Sequence, residues 1–193
     1  MSTLLGWPDF EAATNSTLSD PEGRALADQL AGSILAWSAR YCNRLGWSYG
    51  TYVESFNNDE ATNTFWVTAP PLDTTQPLTL STYNYSSNAY DAYLGLVRSN
   101  PNGKIVTYNT LYGGFGAVQI SYKGGYTDST FPIDLKQALT DLLVQRFNNA
   151  TSGGQTVSSV RAGDYSETYD LKVADIPGDT MEVLDSYKLP VVY

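Results

Sequence analysis

The sequence predicts an α+β fold: a small helical core, interrupted by a β-rich insertion and followed by an extended C-terminal arm. Three observations carry this. Apolar residues recur three and four apart in two stretches, one beginning near Asp20 and one near Ile133. The passage between them is rich in Tyr, Thr, Val, Ser and Asn, with recurrent turn signals. Beyond the second stretch, aromatic and small apolar residues continue without the period of one element. The expected division is 1–50 for an N-terminal segment and long helix, and 51–127 for the insertion. Residues 128–157 are expected to hold the second core helix (near 133–149) and a loop. Residues 158–193 are expected to hold an extended segment, a short helix and the C-terminal tail.

The first helix is expected over Asp20–Leu45. Ser19 or Asp20 can cap its free amides, Pro21 suits the first turn, and Glu22 meets the positive end of the dipole. Leu26, Leu30, Ile34, Trp37, Tyr41 and Leu45 mark one apolar face, and Gly46 is a plausible stop. Such a helix is roughly 38 Å long at the standard rise per residue. It requires a partner surface, either a second helix or a neighbouring subunit.

Within the insertion, TFWVTAPPL, LTLSTYNY, AYLGLVRS, KIVTYNT and AVQISYKGGY read as strands. Asn100–Gly103 (NPNG) is a hairpin turn, because Asn and Gly tolerate positive φ. Val118, Ile120 and Tyr122 alternate with Gln119 and Ser121, as on a half-buried strand. LYGGFGA reads as a further turn. Its Gly113, Gly114 and Gly116 are not a phosphate loop, since no Lys-Ser/Thr follows.

The second helix is expected over Ile133–Asn149, with Pro132 at its threshold, Asp134 in the first turn and Arg146 in the last. Leu135, Ala138, Leu139, Leu142, Val144 and Phe147 form its apolar side, which can pack on the first helix. A Ser-Gly-Gly loop follows, and then SSVRAGDYSETYDL, which reads neither as helix nor as buried strand. A short helix is expected near GDTMEVLDSY, capped by Asp179 or Thr180. Pro190 then forbids helix in the tail KLPVVY.

Composition narrows the chemistry. A net charge of −9 in 193 residues, with pI near 4.3, argues against a nucleic-acid reader. With 42% hydrophobic residues, four Trp and fifteen Tyr, the chain can bury a core and is not a disordered polymer. The single Cys42 excludes an internal disulfide framework and reads as a buried small hydrophobe. MSTLLGWPDF lacks the basic start and apolar run of a signal peptide, and no segment is apolar enough to span a bilayer. A soluble cytoplasmic product without membrane association is therefore expected, and the sequons at Asn15, Asn84 and Asn149 carry little weight.

There is no histidine, which removes Ser-His and Cys-His nucleophile pairs and most zinc sites. Asp164, Glu167 and Asp170, beside Tyr165 and Tyr169, are the candidates for a two-carboxylate glycosidase. The favoured reading is that they are solvated residues of an extended segment. Asn57–Glu60 (NNDE) lacks the ligand spacing of a calcium loop. Abundant aromatics suit carbohydrate binding, and suit strands better. No catalytic residue, metal ligand or cofactor is expected.

The order of motifs adds a resemblance. A long N-terminal helix leads to a β-rich passage closing in ISYKGGY, then PIDLKQALTDLLVQRF, RAGDYSETY and VLDSYKLP. This resembles the head–tail connector (adaptor, or head-completion) proteins of long-tailed bacteriophages, most closely over the final third of the chain. That family has Tyr-x-Gly-Gly-Tyr, then Pro-x-Asp-Leu-Lys-Gln-Ala, Arg-x-Gly-Asp-Tyr-Ser-x-x-Tyr and Leu-Asp-x-Tyr-basic-x-Pro.

The resemblance implies a non-enzymatic virion protein of the neck, assembled in the host cytoplasm. It would form a ring, usually dodecameric, between the portal and a tail-side neck or tail-completion protein. DNA would pass through the channel without sequence-specific binding, repelled by the acidic wall. Arg161, Gly163, Asp164, Tyr165, Ser166 and Tyr169 would be assembly contacts. Gly163 would permit a bend, Arg161 would pair with an acid, and the tyrosines would act as anchors. Leu189, Pro190, Val191, Val192 and Tyr193 would join them in contacts to other subunits or the portal. A tail or capsid-decorating β protein would explain the strands but not both long helices. A carbohydrate-binding or glycosidase module would explain the tyrosines but lacks an evident acid pair.

Overall fold

The computed structural model describes residues 4–57, 60–111, 114, 116–151 and 176–190. The fold is α+β, with helices α1 (Trp7–Thr14), α2 (Pro21–Tyr41), α3 (Ile133–Thr151) and α4 (Gly178–Ser186). The strands are β1 (Gly50–Phe56), β2 (Thr62–Trp66), β3 (Thr79–Asn84), β4 (Ala89–Ala92), β5 (Val97–Ser99), β6 (Lys104–Leu111) and β7 (Val118–Gly124). The described residues of Met1–Arg44 and Asp128–Pro190 form one compact unit, and those of Leu45–Thr127 another.

In the helical unit, Asp20 caps α2 by accepting the amides of Glu22 (3.2 Å) and Gly23 (3.1 Å), with Pro21 in the first turn. The helix ends at Tyr41, four residues short of the expected Leu45. Asn43 adopts φ 55°, its amide bonds Arg40 O (3.1 Å), and the Arg44 amide reaches back to Ala39 O (2.8 Å). That pair of bonds is a Schellman closure, with Asn in the left-handed position that Gly more often fills. The buried stripe is accordingly Ala27, Leu30, Ala31, Ile34 and Ser38. Leu26, Trp37 and Tyr41 are half-buried, and Leu45 lies exposed outside the helix.

Helix α3 packs on α1, α2 and α4 and buries Leu135, Ala138, Leu139, Leu142, Leu143 and Phe147. Leu143 replaces the expected Val144, which is half-buried, because the stripe follows spacings of four through Leu139, Leu143 and Phe147. Helix α1 was not foreseen. Its Phe10 ring lies 4.4 Å from Phe147, Asp9 pairs with Lys136 at 2.8 Å, and the Trp7 amide donates to Asp28 (2.9 Å). Helix α4 starts one residue before its expected caps. Pro177 holds the cap position, and no side chain caps the helix.

The β unit holds two antiparallel sheets, ordered β1-β7-β3-β4 and β2-β6-β5. Phe65, Val67, Leu72, Leu80, Ile105, Val118, Ile120 and Tyr122 from both form one core. The Asn100–Gly103 turn joins β5 to β6, and Gly103 is at φ 91°. AYLGLVRS is not one strand: β4 ends at Ala92 and β5 begins at Val97. TFWVTAPPL leaves the sheet after Trp66. From there the chain runs as an irregular strap whose amides are taken up elsewhere: Val67 N by Gly103 O (3.0 Å) and Leu72 N by Pro101 O (2.9 Å).

Candidate functional site

The motifs that carry the resemblance have definite structural tasks. In ISYKGGY, a Cβ on Gly124 would lie 2.4 Å from Ala69 O, and one on Gly125 would lie 2.4 Å from Ser48 O. Gly125 is also at φ 89°. The two glycines therefore let three backbone segments meet, and the Tyr126 amide closes the junction on Trp47 O (2.7 Å). Beside them, the Tyr122 hydroxyl donates to Glu54 and accepts the Ala69 amide (3.1 Å). The Glu54 carboxylate also takes the Thr68 amide (2.8 Å) and hydroxyl (3.0 Å). Burial, and then the Glu54 carboxylate, push the Tyr122 phenol above its usual range.

PIDLKQA and VLDSYKLP meet in the helical unit. Leu184 is fully buried, and the Tyr41 hydroxyl donates to Asp185 (2.6 Å), which lifts the pKa of that exposed phenol. The Tyr187 hydroxyl donates to Asp134 (2.7 Å), the Arg44 guanidinium to Tyr187 O (3.2 Å), and Lys188 lies 4.3 Å over the Tyr41 ring. The Leu189 amide donates to Cys42 O (2.9 Å), and Asn43 Nδ2 donates to Leu189 O (2.8 Å). Cys42 is buried, and burial pushes its thiol up to about 11. Of the expected assembly residues, Leu189 is thus half-buried and bound to the end of α2, and Pro190 is exposed. Arg161, Gly163, Asp164, Tyr165, Ser166, Tyr169, Val191, Val192 and Tyr193 lie outside the described residues, as do Glu167 and Asp170.

A second surface was not singled out from the sequence. On β6, Ile105 and Thr107 point into the core, so Lys104, Val106 and Tyr108 point out. Register aligns Arg98 with Val106 and Trp66 with Lys104, and the Tyr108 amide bonds Leu96 O (3.0 Å). Approaching β5, Tyr93 and Val97 pack on the core while Leu94, Leu96 and Arg98 alternate outward. The Tyr93 ring lies over Gly95, so a side chain at that position would have to displace the ring. The outer face therefore carries Leu94 (96% exposed), Leu96 (76%), Tyr108 (80%) and Trp66 (42%), together with Arg98 and Lys104. Lys104 sits 5.7 Å from the Trp66 ring centre, and neither cation makes an ion pair with a described carboxylate. The signal in the sequence was the alternation of Leu94, Leu96 and Arg98. It is obscured because the inward residues, Tyr93 and Val97, are apolar too.

Among the described residues no group of three or more His, Cys, Asp or Glu is placed to hold a metal ion, and no helix is long and apolar enough to cross a membrane.

No protein-family model and no curated protein matches the chain. Solved structures do. A chain of the neck of an empty GTA particle, computed with C6 symmetry, superposes with a TM-score of 0.65 at 14% identity, over 99% of this chain and 92% of that one. A chain of the neck of the native GTA particle, computed with C12 symmetry, gives 0.58 at 14% identity over the same shares. A chain of the virion of the native gene transfer agent (GTA) particle gives 0.54 at 13% identity, over 93% of this chain and 82% of that one. Across nearly its whole length, then, the chain has the fold of proteins found in the necks of gene transfer agent particles.

Proposed function

We propose that this chain is a structural neck protein of a phage-like virion, forming a homo-oligomeric ring between portal and tail. The single observation that carries the reading is the whole-chain likeness to neck chains of assemblies with sixfold and twelvefold symmetry. A ring of twelve satisfies both, because twelvefold symmetry contains sixfold symmetry. Nine net negative charges per copy favour a channel that repels DNA and lets it pass without sequence-specific contacts. The portal on one side and a tail-side neck or tail-completion protein on the other are the partners this reading requires. Assembly takes place in the host cytoplasm. Arg161, Gly163, Asp164, Tyr165, Ser166 and Tyr169, with Pro190 and the terminal Val191, Val192 and Tyr193, are proposed as contacts to them. Leu189 serves to anchor the start of that tail, since both its main-chain groups are taken by the end of α2.

The test is imaging of virions that carry a fused density label on this chain. Label density in a ring at the neck is the expected result, and label on the capsid shell or along the tail tube would overturn the proposal. The reading also assigns no catalysis. Glycosidase turnover that disappears in Asp164→Asn or Glu167→Gln would contradict it.

A further inference from the structure

We infer that the outer face of the β2-β6-β5 sheet docks on the carboxylate-rich helical unit of a second copy of this chain. The face combines what protein contacts use most. It has exposed aromatic and aliphatic side chains (Trp66, Tyr108, Leu94, Leu96) beside Arg98 and Lys104, which no described carboxylate neutralises. Leucines exposed at 96% and 76% are costly to leave wet; they lie in the segment leading into β5, which the Tyr108 amide ties to the sheet through Leu96 O (3.0 Å).

Charge distribution selects the occupant. The described residues of 45–127 hold four Asp and Glu against three Lys and Arg; those of the helical unit (4–44, 128–151 and 176–190) hold eleven carboxylates against six cations. The excess negative charge is therefore concentrated in the helical unit, and the face that would complement it is on the β unit. One patch meeting a different patch is a heterologous contact, the kind that closes a ring when repeated around an axis. Nucleic acid fits less well: two cations are few for a phosphate backbone, and the net charge of −9 opposes its approach. The inference rests on the ring reading for its occupant and adds to it the surface used.

The experiment places a benzophenone on Leu96→Cys, Cys42 being buried, and follows association of the full chain by sedimentation velocity and cross-linking. Cross-links to carboxylate-rich peptides of the helical unit of another copy are expected. In Arg98→Glu/Lys104→Glu, association should weaken on the order of 100-fold with unchanged melting. If that variant melts early, Leu94→Ser is read in its place. Wild-type association that the variants leave intact, or that gives no cross-link from position 96, overturns the inference and leaves the ring reading standing. A wild-type chain that neither associates nor occurs in more than one copy per particle overturns the ring reading and, with it, the occupant. Cross-linking to an oligothymidylate probe, lost in the charge-reversed variant, overturns the protein partner in favour of single-stranded nucleic acid.

Discussion

Replacing Tyr122 with Phe keeps the ring in the β core and removes one hydroxyl, so its effect can be worked from two hydrogen bonds. The hydroxyl donates to Glu54 and accepts the buried Ala69 amide at 3.1 Å. Glu54 keeps both Thr68 donors in the variant, whereas Ala69 N–H is left without its acceptor. A buried donor stripped of its partner costs about 1–3 kcal/mol. The cost depends on pH in a definite direction. Burial, and then Glu54, raise the Tyr122 phenol in the folded protein above its ordinary value, while in the unfolded chain it titrates near pH 10. Above about pH 10 the unfolded chain therefore releases a proton that the native protein keeps. Stability from this group is complete below that pH and falls by about 1.4 kcal/mol per pH unit as pH rises towards the folded value. Tyr122→Phe has no such proton to lose. Urea unfolding at pH 7 and at steps up to pH 11 should show the variant less stable by about 1–3 kcal/mol at neutrality, with the gap closing above pH 10. Tyr52, also raised by burial, titrates in both proteins and cancels in the difference. A gap that stays constant with pH, or that is absent at pH 7, would refute the reasoning.

Leu30→Ala and Leu139→Ala each remove a buried side chain from the packed pair α2 and α3, and each should cost about 2–5 kcal/mol by chemical denaturation; unchanged unfolding in both would show that these faces are not core. Gly125→Ala should lose at least about 2 kcal/mol, because a Cβ there combines φ 89° with a 2.4 Å approach to Ser48 O, and a wild-type melting temperature would contradict this. Deleting Leu189–Tyr193 removes two hydrogen bonds to the end of α2 and should cost about 1–3 kcal/mol, whereas deleting only Val191–Tyr193 keeps both. Calorimetry should therefore separate the two truncations, with the shorter one melting near wild type; on the proposed neck role, imaging of particles should find that same shorter truncation missing from the neck.

The legible parts of the fold were those written in local periodicity. Helices α2 and α3 show three-and-four spacing over many turns, and β7 shows clean alternation of buried and half-buried residues. Helix α1 has only eight residues and one buried side chain, Phe10, so no period can develop; its stability comes from packing on α3. Strand β4 is exposed along its whole length, which leaves no inward row to recognise. The end of α2 was misplaced because Asn43, rather than Gly46, takes the left-handed position. Pairing of β1 with β7 brings together residues some seventy positions apart, and no local pattern encodes that. The outer face of the second sheet was hidden for a related reason. Tyr93, Leu94, Leu96 and Val97 are all apolar, so only the closed core reveals which of them point inward.

Of the motifs quoted from the sequence, ISYKGGY, PIDLKQA and VLDSYKLP are fixed by the subunit's own packing. Gly124 and Gly125 are there because backbone oxygens approach within 2.4 Å of their missing side chains. Asp134, Leu184, Asp185, Tyr187 and Lys188 hold the start of α3, the end of α2 and α4 together through bonds within one unit. Residues committed in this way constrain the fold strongly and a partner surface weakly, since substituting them disrupts the subunit before it alters any contact. A chain can therefore keep this packing and still change the side chains it presents outward. Partner specificity has to reside in positions that the core leaves unconstrained. In the β unit Leu94, Leu96, Arg98 and Tyr108 are among such positions, each exposed and each free to change without opening the core. On the proposed ring reading, changes along that outward row would alter the partner while leaving the fold intact.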